Sequence, residues 1–417
     1  MEMKTSNNQN KIKYSVCLPN DNKGESGIYR HPKSKDGLLS IPDNLNSLLK
    51  IFEMRVGRNH GRNKFSRNRV NENETTDNNE SFTYENMKSV ALKYMDFLVK
   101  NKCIEPITLD SKSWKFVGIY AKNCPEWAMA YIGHWYNDVT TVSIFDTLGL
   151  DGIAHILQLT KLTTLVLNGC FLDKIIKLKD EERSSNVKNL IIIPDKTGSY
   201  KAITEKYASY VEQLNFFDME KIINDTLFME ETIEINMDDD DIFGESEQSI
   251  QNRFTPCSAD SIALISFTSG STGVPKGALI SHKGLALSGY SFIESDDLQA
   301  VEYQERYFSY LPYAHVIEQM FFVVTLLKGM NTYYSSGDIK NIVEDINRAN
   351  PTFFIAVPRI LLRFYDVILG IFNSKSGIEK QLIDLAFKEK LNNIRNDNNY
   401  KHFLFDPLIF DKIRVKL

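Results

Sequence analysis

Cysteine is scarce in this sequence, and long apolar runs are missing. The five cysteines among 417 residues are scattered with no C-x-x-C pair, which argues against a zinc site and against a disulfide framework. The most apolar stretch, residues 320–327, ends at Lys328 and is too short to cross a bilayer as a helix. Residues 1–22 are polar and contain no apolar core of a signal peptide. We therefore expect any membrane association to be peripheral or to occur through sequence outside this chain.

A strong charge of either sign is also missing. The chain has 49 Lys and Arg against 54 Asp and Glu, and a net charge of −5 argues against nucleic-acid binding. A hydrophobic content of 42% and a charged content of 25% are typical of globular proteins, and this length is sufficient for a large core.

Two polar segments interrupt the chain. Residues 57–80 are rich in Asn, Arg, Glu and Asp, which predicts a disordered or long-loop insert within an N-terminal extension at residues 1–81. Its arginines could contact anionic lipid, but the acidic half that follows favours a solvated insert. Residues 228–258 are acidic without the spacing of an EF-hand, so we predict a solvated loop there.

Alternating strand and helix patterns begin near Phe82 and predict an α/β fold. Helical periodicity covers residues 84–100, a second helix starts at Pro125, and Asp146 with Thr147 is the predicted N-cap of a third. Short apolar runs predict strands at residues 116–120, 139–145, 164–167 and 190–193. This order predicts a parallel sheet with helices on both faces. We divide the ordered part into a first α/β subdomain at residues 82–257 and a second at 258–417.

A stretch of hydroxyl residues and glycines lies between two further apolar runs, residues 262–267 and 278–280. Glycine lets the backbone approach a ligand closely, successive amide groups form a nest for phosphate oxygens, and hydroxyls add donors. A lysine follows a proline and contributes a positive charge for a polyphosphate. The predicted phosphate-binding residues are Thr268, Ser269, Gly270, Ser271, Thr272, Gly273 and Lys276.

This stretch differs from the commonest phosphate loops. A Walker A loop needs glycine at the position of Pro275 and Ser or Thr at the position of Gly277, and G-x-G-x-x-G does not fit either. A surface turn with a solvated lysine is the alternative interpretation. The flanking strands and the complete T-S-G-S-T-G-x-P-K-G register favour a phosphate loop.

The same stretch resembles the phosphate-binding loop of adenylate-forming enzymes, which include acyl-CoA synthetases, luciferases and peptide-synthetase adenylation domains. Their loop, [YF]-T-S-G-[ST]-T-G-x-P-K-G, fits residues 267–277, and Ser281 with His282 supplies the [TS]-H that follows it. The resemblance implies the large N-terminal domain of that fold, with two parallel-rich sheets and packed helices. It also implies that the Thr268 hydroxyl is a Mg²⁺ ligand.

Further segments are similar to those of long-chain acyl-CoA synthetases, and they lie at residues 123–127, 145–149, 310–319, 357–366 and 405–413. Residues 310–319 resemble Y-L-P-L-A-H-x-x-E-R, with Tyr313 and Gln319 as departures, so an ion pair of Glu318 is in doubt. In this register His315 is the candidate catalytic residue, beside the acyl or adenylate group. The alternative is a core histidine. Trp127 is expected in the core.

The long-chain resemblance implies a function. The enzyme would activate a long-chain fatty acid with ATP to an acyl-adenylate, and coenzyme A would then displace AMP. The implied partners are the fatty acid, ATP, Mg²⁺ and coenzyme A, and the implied location is the cytoplasm or the cytosolic face of the endoplasmic reticulum.

Some parts of the family pattern are not found before Leu417. They are the Y-G-x-T-E segment, the aspartate for the ribose hydroxyls and a C-terminal lid with its lysine. We therefore expect a chain truncated at its C-terminus that is inactive alone. The alternative is a non-catalytic remnant that binds a nucleotide or acyl group, or an interaction protein. Luciferase-like oxidation and amino-acid activation are disfavoured by residues 145–149 and 310–318.

Overall fold

The α/β prediction is confirmed by the computed structural model, in which helices pack on two sheets. It describes residues 15–18, 27–57, 64–67, 81–184, 186–195, 197–210, 212–224, 246–269, 274–294, 305–397 and 399–411. The helices are α1 Leu48–Gly57, α2 Tyr84–Lys100, α3 Pro125–Tyr136, α4 Leu150–Thr160, α5 Leu172–Asp180, α6 Tyr200–Lys206, α7 Glu247–Gln251, α8 His282–Glu294, α9 Val316–Lys328, α10 Ile342–Ala349, α11 Pro358–Asn373 and α12 Gly377–Asp397. The strands are β1 Val16–Leu18, β2 Ile28–Arg30, β3 Lys64–Arg67, β4 Ser81–Thr83, β5 Pro106–Leu109, β6 Lys112–Tyr120, β7 Thr140–Ser143, β8 Thr164–Asn168, β9 Asn189–Ile193, β10 Asn215–Asp218, β11 Ile262–Ser269, β12 Pro275–Ser281, β13 Arg306–Ser309 and β14 Asn331–Tyr334.

The first sheet has eight strands. Seven of them follow the order β10-β9-β8-β6-β7-β11-β12, and β5 pairs with β6 off this path. Pairing is parallel except where β12 joins β11 and β5 joins β6. The second sheet has the order β13-β14-β3-β4, and its first three strands are parallel.

The core fills both faces of the first sheet, and its strands β7, β8 and β9 are buried at every position. Along β6, Val117 and Ile119 belong to one buried cluster, whereas Phe116 and Tyr120 belong to another. Alternate side chains of a strand point to opposite faces, so the two clusters lie on opposite sides. Helices α2 and α3 cover the first cluster, and α4 and α5 cover the second. This is the arrangement that the strand–helix order predicts, a parallel sheet with helices on both faces.

Order begins earlier in the chain than predicted. Leu48, Ile51 and Phe52 of α1 are buried in the first cluster, well before Phe82. A helix of ten residues gains most of its stability from tertiary packing, and its local pattern is therefore weak. Within the predicted insert at residues 57–80, residues 64–67 form β3, and residues 58–63 and 68–80 lie outside the described residues.

The sheets do not follow a division of the chain at residue 258. Strands β11 and β12 complete the first sheet, and β3 and β4 join the second. The central residues of the predicted acidic loop, 225–245, lie outside the described residues. None of the described helices is long and apolar enough to cross a membrane.

Two local predictions need correction. The predicted cap at Asp146 and Thr147 is wrong, because α4 starts at Leu150 with Gly149 as its N-cap and no side-chain cap hydrogen bond. Residues 144–149 instead form the loop that follows β7. The strand predicted at residues 139–145 is shorter, because β7 covers only Thr140–Ser143. In helix α11, which starts at Pro358, Ile360 is buried while Leu361 and Val367 are exposed.

Candidate functional site

The hairpin of β11 and β12 pairs two of the predicted phosphate-binding residues. Thr268 lies directly opposite Lys276, and Ser269 lies opposite Pro275. Residues that are directly opposite in an antiparallel pair present their side chains on the same face, so the side chains of Thr268 and Lys276 are neighbours. Both side chains are exposed. Gly270, Ser271, Thr272 and Gly273 lie outside the described residues, and only the backbone of Ser269 is described.

This face of the hairpin is turned toward residues 310–315, the loop between β13 and α9. Ser266 Oγ donates to the Ala314 carbonyl oxygen at 2.9 Å, whereas Phe267 points into the core on the other side. Because side chains alternate along a strand, Thr268 points to the same side as Ser266. The side chain of Lys276, which is paired with Thr268, points to that side as well.

His315 lies in this loop, at the carboxyl edge of the parallel pair β13–β14. It is the N-cap of α9, and its Nδ1 accepts from the Ile317 amide at 3.2 Å. In the neutral ring Nε2 is then the protonated nitrogen. The ring is exposed and meets the ring of Phe145 edge-on, with 6.4 Å between centroids. Exposure argues against the core-histidine alternative. The structure thus brings Thr268, Lys276 and His315 to one edge of the fold.

Glu318 and Gln319, which are buried in the first turn of α9, make hydrogen bonds that hold this loop. Glu318 is fully buried and accepts hydrogen bonds from Ser309 Oγ at 2.5 Å and Tyr307 Oη at 2.7 Å. Burial raises its pKa to about 8. Gln319, at the position of the family arginine, donates from Nε2 to the Tyr313 carbonyl oxygen at 2.5 Å. Hydroxyl hydrogen bonds therefore replace the ion pair that the sequence placed in doubt.

The segment at residues 123–127 reaches the same loop, which the sequence did not indicate. Asn123 donates from Nδ2 to Ser309 Oγ and to the Leu311 carbonyl oxygen, and its Oδ1 accepts from the Tyr313 amide. Trp127 is in the core as predicted and stacks on the Tyr313 ring at 4.5 Å. The available signal was a polar residue shortly after the carboxyl end of a parallel strand.

His282, which ends the phosphate-loop motif, has a structural environment. Its ring is buried against Trp135, and its Nδ1 lies 3.6 Å from Cys257 Sγ. Burial lowers its pKa to about 3, so it stays neutral. It opens α8 directly after β12 and thereby anchors the hairpin to the core.

Within the described residues, no three His, Cys, Asp or Glu side chains converge as a metal site. A magnesium ion does not require such a cage, because it commonly binds through few protein oxygens together with phosphate oxygens and water. The exposed hydroxyl of Thr268, beside Lys276, is compatible with that kind of ligand set.

This architecture is that of the N-terminal domain of adenylate-forming enzymes. The adenylation domain of a carboxylate reductase from Mycobacterium chelonae is similar, with 15% identity and a TM-score of 0.60 over 85% of this chain and 54% of that one. A long-chain-fatty-acid–CoA ligase from Archaeoglobus fulgidus is similar with 16% identity and a TM-score of 0.56, over 81% of this chain and 55% of its own. These likenesses concern the fold.

The family follows from the sequence match. A profile described as AMP-binding enzyme matches residues 66–392, so the chain belongs to the AMP-binding enzyme family. Long-chain-fatty-acid–CoA ligase 1 of Cavia porcellus is 28% identical over 304 residues, which are 73% of this chain and 40% of the relative. Long chain acyl-CoA synthetase 2 of Arabidopsis thaliana is 25% identical over 395 residues, which are 94% of this chain and 54% of the relative. The chain therefore spans about half the length of these curated relatives.

Proposed function

We propose that this chain carries the phosphate-binding part of an ATP-dependent ligase that activates a long-chain fatty acid for transfer to coenzyme A. The observation that carries the proposal is the pairing of Thr268 with Lys276 on the face of the hairpin that is turned toward the loop with the exposed His315. The named curated relatives, which are long-chain acyl-CoA ligases, support the choice of substrate.

The reaction explains why these residue types are needed. A fatty carboxylate attacks the α-phosphate of ATP, which gives an acyl-adenylate and pyrophosphate, and the thiol of coenzyme A then displaces AMP. The carboxylate and the triphosphate repel each other, so a site must neutralise and align them. In our proposal Lys276 and the amide groups of residues 268–273 bind the β- and γ-phosphates.

Thr268 and His315 have separate roles in the proposal. The Thr268 hydroxyl would hold Mg²⁺, which neutralises phosphate charge and stabilises the leaving pyrophosphate when bound. The Nε2–H group of the exposed His315 would donate a hydrogen bond to the fatty-acid carboxylate or to the acyl-adenylate that forms from it. Both side chains are exposed, so each is accessible to a substrate.

The first test is ATP binding, measured by titration calorimetry in the presence of Mg²⁺. Lys276→Ala should weaken binding by about tenfold or more, because a charged hydrogen-bond donor to phosphate is removed. Lys283→Ala, which removes an exposed lysine at the start of α8, is the matched control and should bind as the unsubstituted chain does. Equal affinity of both variants would contradict the assignment of Lys276.

The second measurement separates a ligase from a protein that only binds nucleotide. Fatty-acid-dependent exchange between ATP and pyrophosphate is measured on this chain and on any longer product of its reading frame. Exchange that is lost in His315→Ala, while ATP affinity changes less than about twofold, supports the ligase. ATP binding without exchange in either protein favours the non-catalytic alternative.

A further inference from the structure

We propose that Asn123 is a positioning residue that sets the location of the His315 loop, residues 310–315, relative to the phosphate hairpin; this rests on the proposed function. Asn123 follows β6 of the first sheet, and the His315 loop follows β13 of the second. Its side chain joins them through three hydrogen bonds, to Ser309 Oγ at 2.8 Å, to the Leu311 carbonyl oxygen at 2.6 Å and from the Tyr313 amide at 2.9 Å.

The chemistry of this position suits an amide side chain. Two of the contacts need N–H donors and the third needs an acceptor, and a primary amide supplies all of them from one planar group. Aspartate in its ionised form keeps the acceptor, but it places negative charge against the Leu311 carbonyl oxygen. Asn123 is also buried, so each contact that is lost leaves a desolvated polar group behind.

A second contact fixes the loop from the neighbouring strand. Ser266 Oγ of β11 donates to the Ala314 carbonyl oxygen, and Thr268 lies two residues further along the same strand. Asn123 and Ser266 therefore hold the loop from two elements of the first sheet. His315, the next residue after Ala314, is placed relative to Thr268 by these contacts, and small displacements of reacting groups cost catalytic rate.

Hydrogen exchange measured by mass spectrometry tests the position of the loop directly. In Asn123→Ala, amides of residues 310–317 should exchange about tenfold faster than in the unsubstituted chain. The matched control is Asn189→Ala at the opposite, amino-terminal edge of the sheet, where a buried amide donates to Thr164 Oγ1 and accepts from Asn215. The control should leave this segment unchanged. Equal exchange of the segment in the two variants would overturn the proposal.

A double-mutant cycle distinguishes positioning from general stability. The probe is a stable acyl-adenylate mimic, dodecanoyl-sulfamoyl adenosine, whose affinity is measured by titration calorimetry. The loss caused by Asn123→Ala should largely disappear in a His315→Ala background, whereas the effect of Asn189→Ala should be additive with His315→Ala. Additivity for Asn123 would overturn the positioning role.

Two further measures distinguish failure of the Asn123 proposal from misfolding and from failure of the proposed function. If Asn123→Ala does not fold, Asn123→Asp replaces it, because it keeps the shape and the acceptor. Equal ATP affinity of Lys276→Ala and Lys283→Ala would reject the proposed function. In that case, or if the unsubstituted chain does not bind the mimic, the exchange of residues 310–317 decides alone whether Asn123 holds the loop.

Discussion

A rise in pH from 6.5 to 8 should weaken the fold through the carboxyl group of Glu318. This group is fully buried, and burial raises its pKa from the ordinary 4.5 to about 8, although hydrogen bonds from Ser309 and Tyr307 act in the opposite direction. Between these two pKa values the folded chain retains a proton that the unfolded chain has released. The free energy of unfolding therefore falls as the pH rises through that range. The stability that depends on this proton is fully present only below about pH 4.5.

Comparison with Glu318→Gln isolates this group in the window from pH 6.5 to 8. Each pH unit in which one proton is bound only by the folded state costs 1.36 kcal/mol, so 1.5 units correspond to about 2 kcal/mol. His134 and His282 have pKa values lowered to about 3 by burial, and their unfolded imidazoles, with an ordinary pKa of 6.5, are still partly protonated in the lower part of the window. Both histidines therefore raise the free energy of unfolding as the pH rises, by about 0.4 kcal/mol each and equally in every variant. Cys103 and Cys257 have pKa values raised to about 11 and 12 by burial, and their unfolded thiols titrate above this window.

The assay is urea unfolding followed by tryptophan fluorescence at several pH values between 6.5 and 8. Relative to Glu318→Gln, the unsubstituted chain should lose about 2 kcal/mol across the window, because the amide does not titrate and the histidine contributions are common to both. Glu85→Gln removes an exposed carboxyl at the start of α2 and should keep the full slope. Infrared absorption of a protonated carboxyl near pH 7, lost in Glu318→Gln, gives the same information without a two-state assumption. Parallel slopes for the unsubstituted chain and Glu318→Gln would refute the reasoning.

Two further substitutions test the frame of the site. A Cβ at Gly277 would lie 2.9 Å from Ile265 and 3.2 Å from the Phe267 ring, so Gly277→Ala should cost about 1–3 kcal/mol and weaken ATP binding. Gly149→Ala, with no atom within 4 Å of the new Cβ, is its control, and equal melting temperatures would contradict this expectation. Arg55 is buried and donates to two carbonyl oxygens at the end of α9, so Arg55→Ala should cost about 3 kcal/mol in urea unfolding, and a loss below about 1 kcal/mol would oppose that role.

Elements with strong local signals were predictable. Helix α2 has the predicted bounds, Tyr84–Lys100, because its apolar residues recur at helical spacing and Thr83 with Asn86 forms a capping box. Strands β8 and β9 are fully buried apolar runs and agree with their predictions within one residue at each end. Helix α1 was missed, because ten residues next to a polar segment carry little periodic signal. The cap of α4 was misplaced because a bare glycine, Gly149, replaced the side-chain cap that the pattern favoured.

The candidate site divides in the same way. The amino-acid order alone determined which residue types line the hairpin and where His315 lies in its motif, because those features are contiguous in the chain. Only the tertiary structure decided that Ser266 contacts Ala314, 48 residues away, and that Asn123 contacts Tyr313, 190 residues away. Such contacts depend on how the two sheets pack against each other. Hydrophobic periodicity and local spacing contain no information about that packing.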